Sequence, residues 1–201
     1  MKQLTAERPA TAQAIIESAE RLFGRYGING ISLRKIALEA GSANKYAVQY
    51  YFRNRDGLLQ AIFDYRLPLL EERRKALLDD AGNAGGVTSV RDFLHIIFQP
   101  LAEQIDSQGN HSYAAFLVGL AHFGNVAERS KLNDFTPVTG RVIGMLDERL
   151  VHVSSAHFLQ RMEAVRDMIL GVLARNATTR LEGKLDDALD MGAAALLAEP
   201  S

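Results

Sequence analysis

A chain of 201 residues with 47% hydrophobic side chains can bury a sizeable core in one or two domains, and its composition is not that of a disordered segment. It holds no cysteine, which removes disulfides, thiol catalysis and cysteine metal sites, and no apolar run approaches the roughly eighteen residues of a membrane span, so the expected setting is cytoplasmic with no membrane partner. Net charge is only -1, yet residues 1–66 carry ten Lys/Arg against six Asp/Glu, a balance of +4, while residues 67–201 stand at -5. A basic module on an acidic body is one reading of that asymmetry, and chance unevenness is the other.

In chain order, the first eight residues read as frayed, with Lys2 and Arg8 near enough to brush a phosphate backbone. A first helix is expected to begin near Pro9 to Thr11, where proline is well tolerated. Ile15, Ala19, Leu22, Phe23 and Tyr26 form its buried stripe and Gly27 ends it. Ser32 is suited to cap a short second helix. There Leu33, Ile36, Ala37 and Ala40 fall on one face, and Arg34, Lys35 and Glu39 on the other. Gly41 supplies the left-handed stop, and Ser42, Ala43 and Asn44 make a tight turn. In a third helix capped by Asn44, Val48 and Phe52 share its inner face beside the small Ala47. Lys45, Tyr46, Gln49 and Tyr50 then point away from the core. Exposed aromatics beside a lysine and an amide suit the major groove of double-stranded DNA, where lysine reads guanine and glutamine reads adenine. Arg53 and Arg55 follow in position for backbone phosphates.

A fourth helix is expected to start near Asn54 to Asp56, with Leu58, Leu59, Ile62 and Phe63 packing back on the first three. The pattern continues through Leu67, Leu70 and Leu77, which predicts a long connector bent at Pro68. Residues 79–89 read as a glycine-rich loop. Helices over about Val90–Ile105, kinked at Pro100, and His111–Phe123 carry odd polar residues among large apolar ones: His95, Gln99, Tyr113, His122 and Asn125. With Phe116 and Leu117 these could line an effector pocket, or be satisfied core groups, or face solvent. Residues 126–135 read as a looser segment before Thr136 and Pro137 open a helix striped by Val142, Ile143, Leu146 and Leu150. Arg141 and Arg149 read as surface charges, or as an arginine at a pocket mouth holding an acidic ligand.

From about Ser155 to Ala174, Phe158, Met162, Val165, Ile169 and Val172 alternate four and three apart as a packing seam; Met168, Leu170 and Leu173 widen it. The last helix repeats the spacing with Leu185, Leu189, Gly192 and Leu196. Such a wide face fits an interface pairing two chains in a four-helix bundle and fits packing within one chain equally well. No alternation typical of strands is present, so the chain reads as all-α, about nine helices, with a helix-turn-helix domain over 1–53 and a helical effector-binding and dimerisation domain over 54–201. A glycine-rich phosphate loop, an HExxH and a GxSxG motif are all absent. His152 and His157, five apart, do not share a helix face, so neither metal nor cofactor is expected, and an enzyme reading has no residue to carry it.

The stretch AERLFGRYGINGISLRKIALEAG followed by YYFRNRDGLLQAIF, within Ile15 to Phe63, resembles the DNA-binding domain of the TetR/AcrR transcriptional regulators. Carrying the resemblance are the Leu-Phe pair of the first helix, the glycine before the second, the helix-turn around Gly41, the aromatic closing the third helix, and a basic residue ahead of Leu58 and Leu59. The turn after Gly41 stands one residue longer than the commonest pattern, and Gln49 stands where a tyrosine is usual. The resemblance implies a homodimeric regulator, expected to be a repressor, that binds a near-palindromic operator and responds to a small hydrophobic or aromatic effector. It assigns Arg34, Lys45, Tyr46, Gln49 and Tyr50 to base edges and Ser32, Tyr51, Arg53 and Arg55 to phosphates. It also places the dimer interface on the last two helices. The rival readings are a helical DNA-binding protein regulated by a protein partner, and an all-helical enzyme or carrier.

Overall fold

In a computed structural model the described residues are 9–124, 136–151, 153–175 and 180–199. Lys2, Arg8, Asn125, His152 and the segment 126–135, each given a reading above, lie outside them. Among the described residues the chain forms nine α-helices and no strands.

Helix α1 spans Ala10–Tyr26, with Pro9 at its N-cap and Gly27 ending it in left-handed backbone. Its apolar line at Ile15, Ile16, Ala19 and Phe23 is fully buried. Tyr26, expected on that stripe, is 49% exposed, because it sits in the last turn, past the neighbours that cover Phe23. Helix α2 spans Leu33–Glu39, and the Ser32 side chain accepts from Lys35 N–H as a cap should. Helix α3 is short, Ala47–Phe52. Asn44, expected to cap α3, does not: Tyr46 stands at the N-cap, and Asn44 is exposed, its side-chain oxygen closing a local turn by accepting from Tyr46 N–H at 2.9 Å.

Helix α4 runs unbroken from Arg55 to Asn83, capped by Asn54, whose side chain accepts from Gly57 N–H. It passes through Pro68, which has no N–H to offer the preceding turn. It also runs five residues into the segment read as loop from 79 onward, because Asp79, Asp80, Ala81, Gly82 and Asn83 stay helical before Gly85 and Gly86 turn the chain in positive-φ backbone. Helix α5, Val90–Glu103, opens with a reciprocal capping box between Ser89 and Asp92. Helix α6 spans Ser112–Phe123, α7 Pro137–Arg149, α8 Ser155–Arg175 and α9 Lys184–Leu197.

One continuous apolar core joins the three-helix head to the body. Helix α1 lies directly on α6, and two glycines permit that approach. A Cβ on Gly119 would fall 2.6 Å from the Phe23 carbonyl oxygen, and one on Gly24 would fall 2.7 Å from Ala115 backbone. Head and body therefore meet backbone to backbone. In the body, α8 packs on α9 and α6, and α9 also packs on α5.

Candidate nucleic-acid interface and internal cavity

Helix α3 buries Ala47 and Val48 and presents Gln49 and Tyr50 outward, with Lys45 and Tyr46 exposed on the turn leading into it and Arg53 exposed at its C-cap. Tyr46 is 59% exposed and Tyr50 78%, values a solvated helix seldom gives large aromatics. Lys45 Nζ stands 5.1 Å from the Tyr46 ring centroid, and Tyr50 meets Tyr51 edge to face at 4.9 Å. This produces a cationic and aromatic surface with one amide, Gln49, at its centre. Arg34 adds an exposed cation from α2, whose N-terminal turn is capped by the exposed Ser32.

The α3–α4 corner fixes that surface against the core. Arg53 has φ +68°, the only positive value on a non-glycine among the described residues. Gly57 is required at the corner, since a Cβ there would fall 2.0 Å from the Phe52 carbonyl oxygen. Arg55 is turned inward. Its guanidinium donates to the Ile28 carbonyl and, at 2.8 Å, to the Ile31 carbonyl, and it stacks over Phe23 at 5.9 Å. The phosphate contact expected of Arg55 is thus replaced by a brace holding the α1–α2 loop. Only Asn54 separates Arg53 from Arg55, but one arginine lies on the free corner and the other starts a helix facing the core.

The body encloses a cavity of about 510 Å³. Four of its lining residues come from α4, namely Phe63, Leu67, Leu70 and Arg74, and two from α6, Tyr113 and Leu117. Of the residues expected there, only Tyr113 and Leu117 line it. Phe116 is buried one turn away between Phe23 at 6.3 Å and Phe63 at 5.6 Å. Gln99 donates to Glu103, and His95 is only partly buried on the same outer side of α5. His122 is exposed, its Nδ1 bonded to the Val118 carbonyl of its own helix. Arg149 does not reach the cavity mouth either, since it bonds the Thr88 carbonyl, and Arg141 is exposed.

Two buried arginines escaped the sequence reading. Arg66, 3% exposed, donates to both oxygens of Glu20 at 2.8 Å, and Ser112 Oγ donates to the same carboxylate at 2.7 Å. Burial works to lower the Arg66 pKa, but the hydrogen bond and charge of Glu20 outweigh it and leave the pKa raised. Arg74, 5% exposed, is pushed down by burial against the opposing pull of Glu71. A signal for both existed: they continue the four-residue line Leu58, Ile62, Arg66, Leu70, Arg74 along the buried side of α4.

The residues expected at a dimer interface are used inside the chain. Phe158, Val165, Ile169, Leu189 and Leu196 are at most 2% exposed, Met162 and Leu185 are 8% exposed, and Val172 packs against the core. Gly192 is buried where a Cβ would meet Val165 at 2.9 Å and Leu94 at 3.1 Å, so it lets α9 close on α8 and α5. The seam's spacing is satisfied by neighbours in the same chain. The outward side of the two helices carries instead Ala164, Gly171, Met191, Ala194 and Ala195, with Met191 61% exposed.

Among the described residues no helix is long and apolar enough to cross a membrane, and no cluster of His, Asp and Glu could hold a metal ion. Residues 15–62 match the family model described as bacterial regulatory proteins, tetR family. The HTH-type transcriptional regulator BetI of Pseudomonas fluorescens is 28% identical over 133 residues, covering 63% of this chain and 63% of the relative. The probable HTH-type transcriptional regulator YttP of Bacillus subtilis is 32% identical over 95 residues, covering 47% and 44%. The chain thus spans less than two thirds of either relative. The N-terminal head is therefore of the tetR regulatory-protein type over residues 15–62, on an all-helical chain similar to HTH-type transcriptional regulators.

Proposed function

We propose that the chain acts as a cytoplasmic homodimeric repressor that holds a near-palindromic operator and releases it when a small, mostly apolar effector enters the body cavity. The observation carrying this reading is the outward presentation of Lys45 and Tyr46 on the turn leading into α3 and of Gln49 and Tyr50 on α3 itself, whose opposite face is locked into the core. One such helix makes too few base contacts for useful specificity, whereas two, set about one helical turn of DNA apart, read both half-sites. Lys45, Tyr46, Gln49, Tyr50 and Arg34 are assigned to base edges, and Ser32, Tyr51 and Arg53 to phosphates. Pairing of two chains is assigned to the outward side of α8 and α9, around Gly171, Met191 and Ala194, where small residues let helices approach closely.

The cavity is of a size that encloses a whole small ligand. It is lined by α4 and α6, the helices that also hold α1 through Arg66, Ser112 and Phe116. That supports effector control over a body regulated by another protein. Footprinting of the purified protein on genomic fragments, with and without a panel of small apolar molecules, tests the reading. Protected sites with two related half-sites, lost in the presence of one compound class, are expected. Binding to duplex DNA that is insensitive to salt, or protection of single half-sites only, would contradict it.

A further inference from the structure

The cavity's buried floor carries a positive charge that the chain itself does not fully meet. Arg74 directs both Nε and Nη2 at a single neutral acceptor, the Ile97 carbonyl, at 3.1 and 3.0 Å. The carboxylate beside it, Glu71, stands at 3.7 Å and is already engaged elsewhere. One of its oxygens accepts from Val138 N–H at 2.8 Å, and the other from Thr139 N–H and Oγ at 3.3 and 2.8 Å. Glu71 is thus held by the N-terminal turn of α7, where the free amides favour negative charge. Arginine cannot shed its proton to escape burial, and a buried cation whose counter-ion is shared with other donors and outside hydrogen-bond distance is costly.

A second polar group faces the same space. Tyr113 is 2% exposed and lines the cavity, and no hydrogen bond to its hydroxyl is found among the described residues. Arg166, the other lining cation, is paired with Glu163 at 3.2 Å and Asp167 at 3.0 Å, so it adds little uncompensated charge. The other polar lining residues are Thr136, Thr139, Gln160 and Glu163, the last paired with Arg166, and the rest of the wall is aliphatic and aromatic. Leu159, 54% exposed, marks the side open to solvent, opposite the buried floor.

We infer that the cavity takes an apolar organic monoanion, its carboxylate seated against Arg74 and Tyr113 and its hydrocarbon or aromatic body against Leu67, Leu101 and Leu170. This rests on the cavity being the effector site and adds the ligand's charge and orientation. A carboxylate adds a direct charge-assisted acceptor for Arg74 beside the 3.7 Å Glu71 pair and accepts a hydrogen bond from the phenol, whereas a neutral apolar molecule supplies neither and an ammonium head is repelled.

Calorimetric titration with decanoate, decanol and decyltrimethylammonium, each below its micelle concentration, separates the cases. Decanoate is expected to bind about 10-fold or more tighter than decanol, as one charge-assisted hydrogen-bonded pair implies, with decyltrimethylammonium weakest. In Arg74→Met that advantage should shrink to about 2-fold or less, and in Tyr113→Phe decanoate alone should weaken by roughly 3- to 10-fold. The wild-type series and Tyr113→Phe decide the matter if Arg74→Met does not fold. Equal affinity for decanoate and decanol, or preference for the ammonium, overturns the anion assignment and leaves the cavity as an effector site. No binding of any of the three overturns the effector reading itself, and this inference with it.

Discussion

Replacing Glu20 should be felt in both halves of the molecule. Its carboxylate is fully buried and accepts three hydrogen bonds, two from Arg66 on α4 and one from Ser112 at the start of α6. Glu20→Ala leaves the Arg66 guanidinium, 3% exposed, with Gln104 at 3.0 Å as its remaining hydrogen-bond partner and no carboxylate in contact. Breaking a buried pair by removing one partner costs about 3–5 kcal/mol, because an uncompensated charge stays inside. For a chain of this length that corresponds to a melting temperature lower by roughly 6–20 °C. The double variant Glu20→Leu/Arg66→Leu removes both charges and fills similar space, so it should regain at least half of the loss. Far-UV circular dichroism melts of Glu20→Leu, Arg66→Leu and the double variant form the cycle that checks this, beside Glu20→Ala. A Glu20→Ala loss below about 1 kcal/mol, or a double variant as unstable as the two singles added together, would show that the pair does not clamp head to body as argued.

Gly119→Ala should lower stability by about 1–3 kcal/mol despite the better helix former, since its Cβ would fall 2.6 Å from a backbone oxygen that can move only with α1; an unchanged or raised urea midpoint would contradict the close crossing. Arg55→Ala and Arg53→Ala should part company. The first is expected to lose about 1–3 kcal/mol of stability through the carbonyls of Ile28 and Ile31 while the salt slope of DNA binding stays put. The second should lower that slope by about one with little change in the melt. Acid should destabilise the fold through Glu71, Asp92 and Glu103. For Glu71 burial alone would raise the pKa, but the hydrogen bonds from Thr136, Val138 and Thr139 hold it below its usual value; Ser89 does the same for Asp92 and Arg73 for Glu103. Folded pKa values below the unfolded ones mean stability fully present above the ordinary carboxylate range and lost as pH falls through the folded values. Urea midpoints should therefore drop below about pH 4.5, and less steeply in Glu71→Gln.

The head was legible because its signals are local. Ser32, Gly27 and Asn54 act at their own helix ends, and the split of α3 into a buried Ala47–Val48 side and an exposed Gln49–Tyr50 side follows from helical spacing alone. The seam of α8 and α9 shows the limit of that logic. Periodicity states that Phe158, Val165 and Leu189 must be covered, and carries no information on which chain covers them. The cavity is harder still, being a space between helices distant in sequence, with Phe63, Leu101, Ile143 and Leu170 brought around it by topology. Arg66 and Arg74 lie in a run of α4 so rich in charge that it reads as a solvated stripe, and Glu20 lies 46 residues from the arginine that explains it.

These buried charges also decide how the body can act on the head. A ligand in the cavity touches Phe63, Leu67, Leu70 and Arg74 on α4 and Tyr113 and Leu117 on α6. The same helices grip α1, α4 through Arg66 and α6 through Ser112, Phe116 and the glycine crossing. Where long side chains separate two helices, a small shift can be absorbed by rotamers; at Gly24 and Gly119 the contacts are backbone and the Ala115 Cβ, which have no rotamers, so α6 cannot tilt without carrying α1. On the proposed function, an effector needs only to prefer one setting of α4 against α6, and the head must follow as a rigid piece. Reversing a 1:99 population requires about 5.5 kcal/mol of preference between the two settings. A carboxylate that meets Arg74 well in one and poorly in the other supplies a large part of that from a single contact, because a mispaired buried charge is among the costliest arrangements a core can hold.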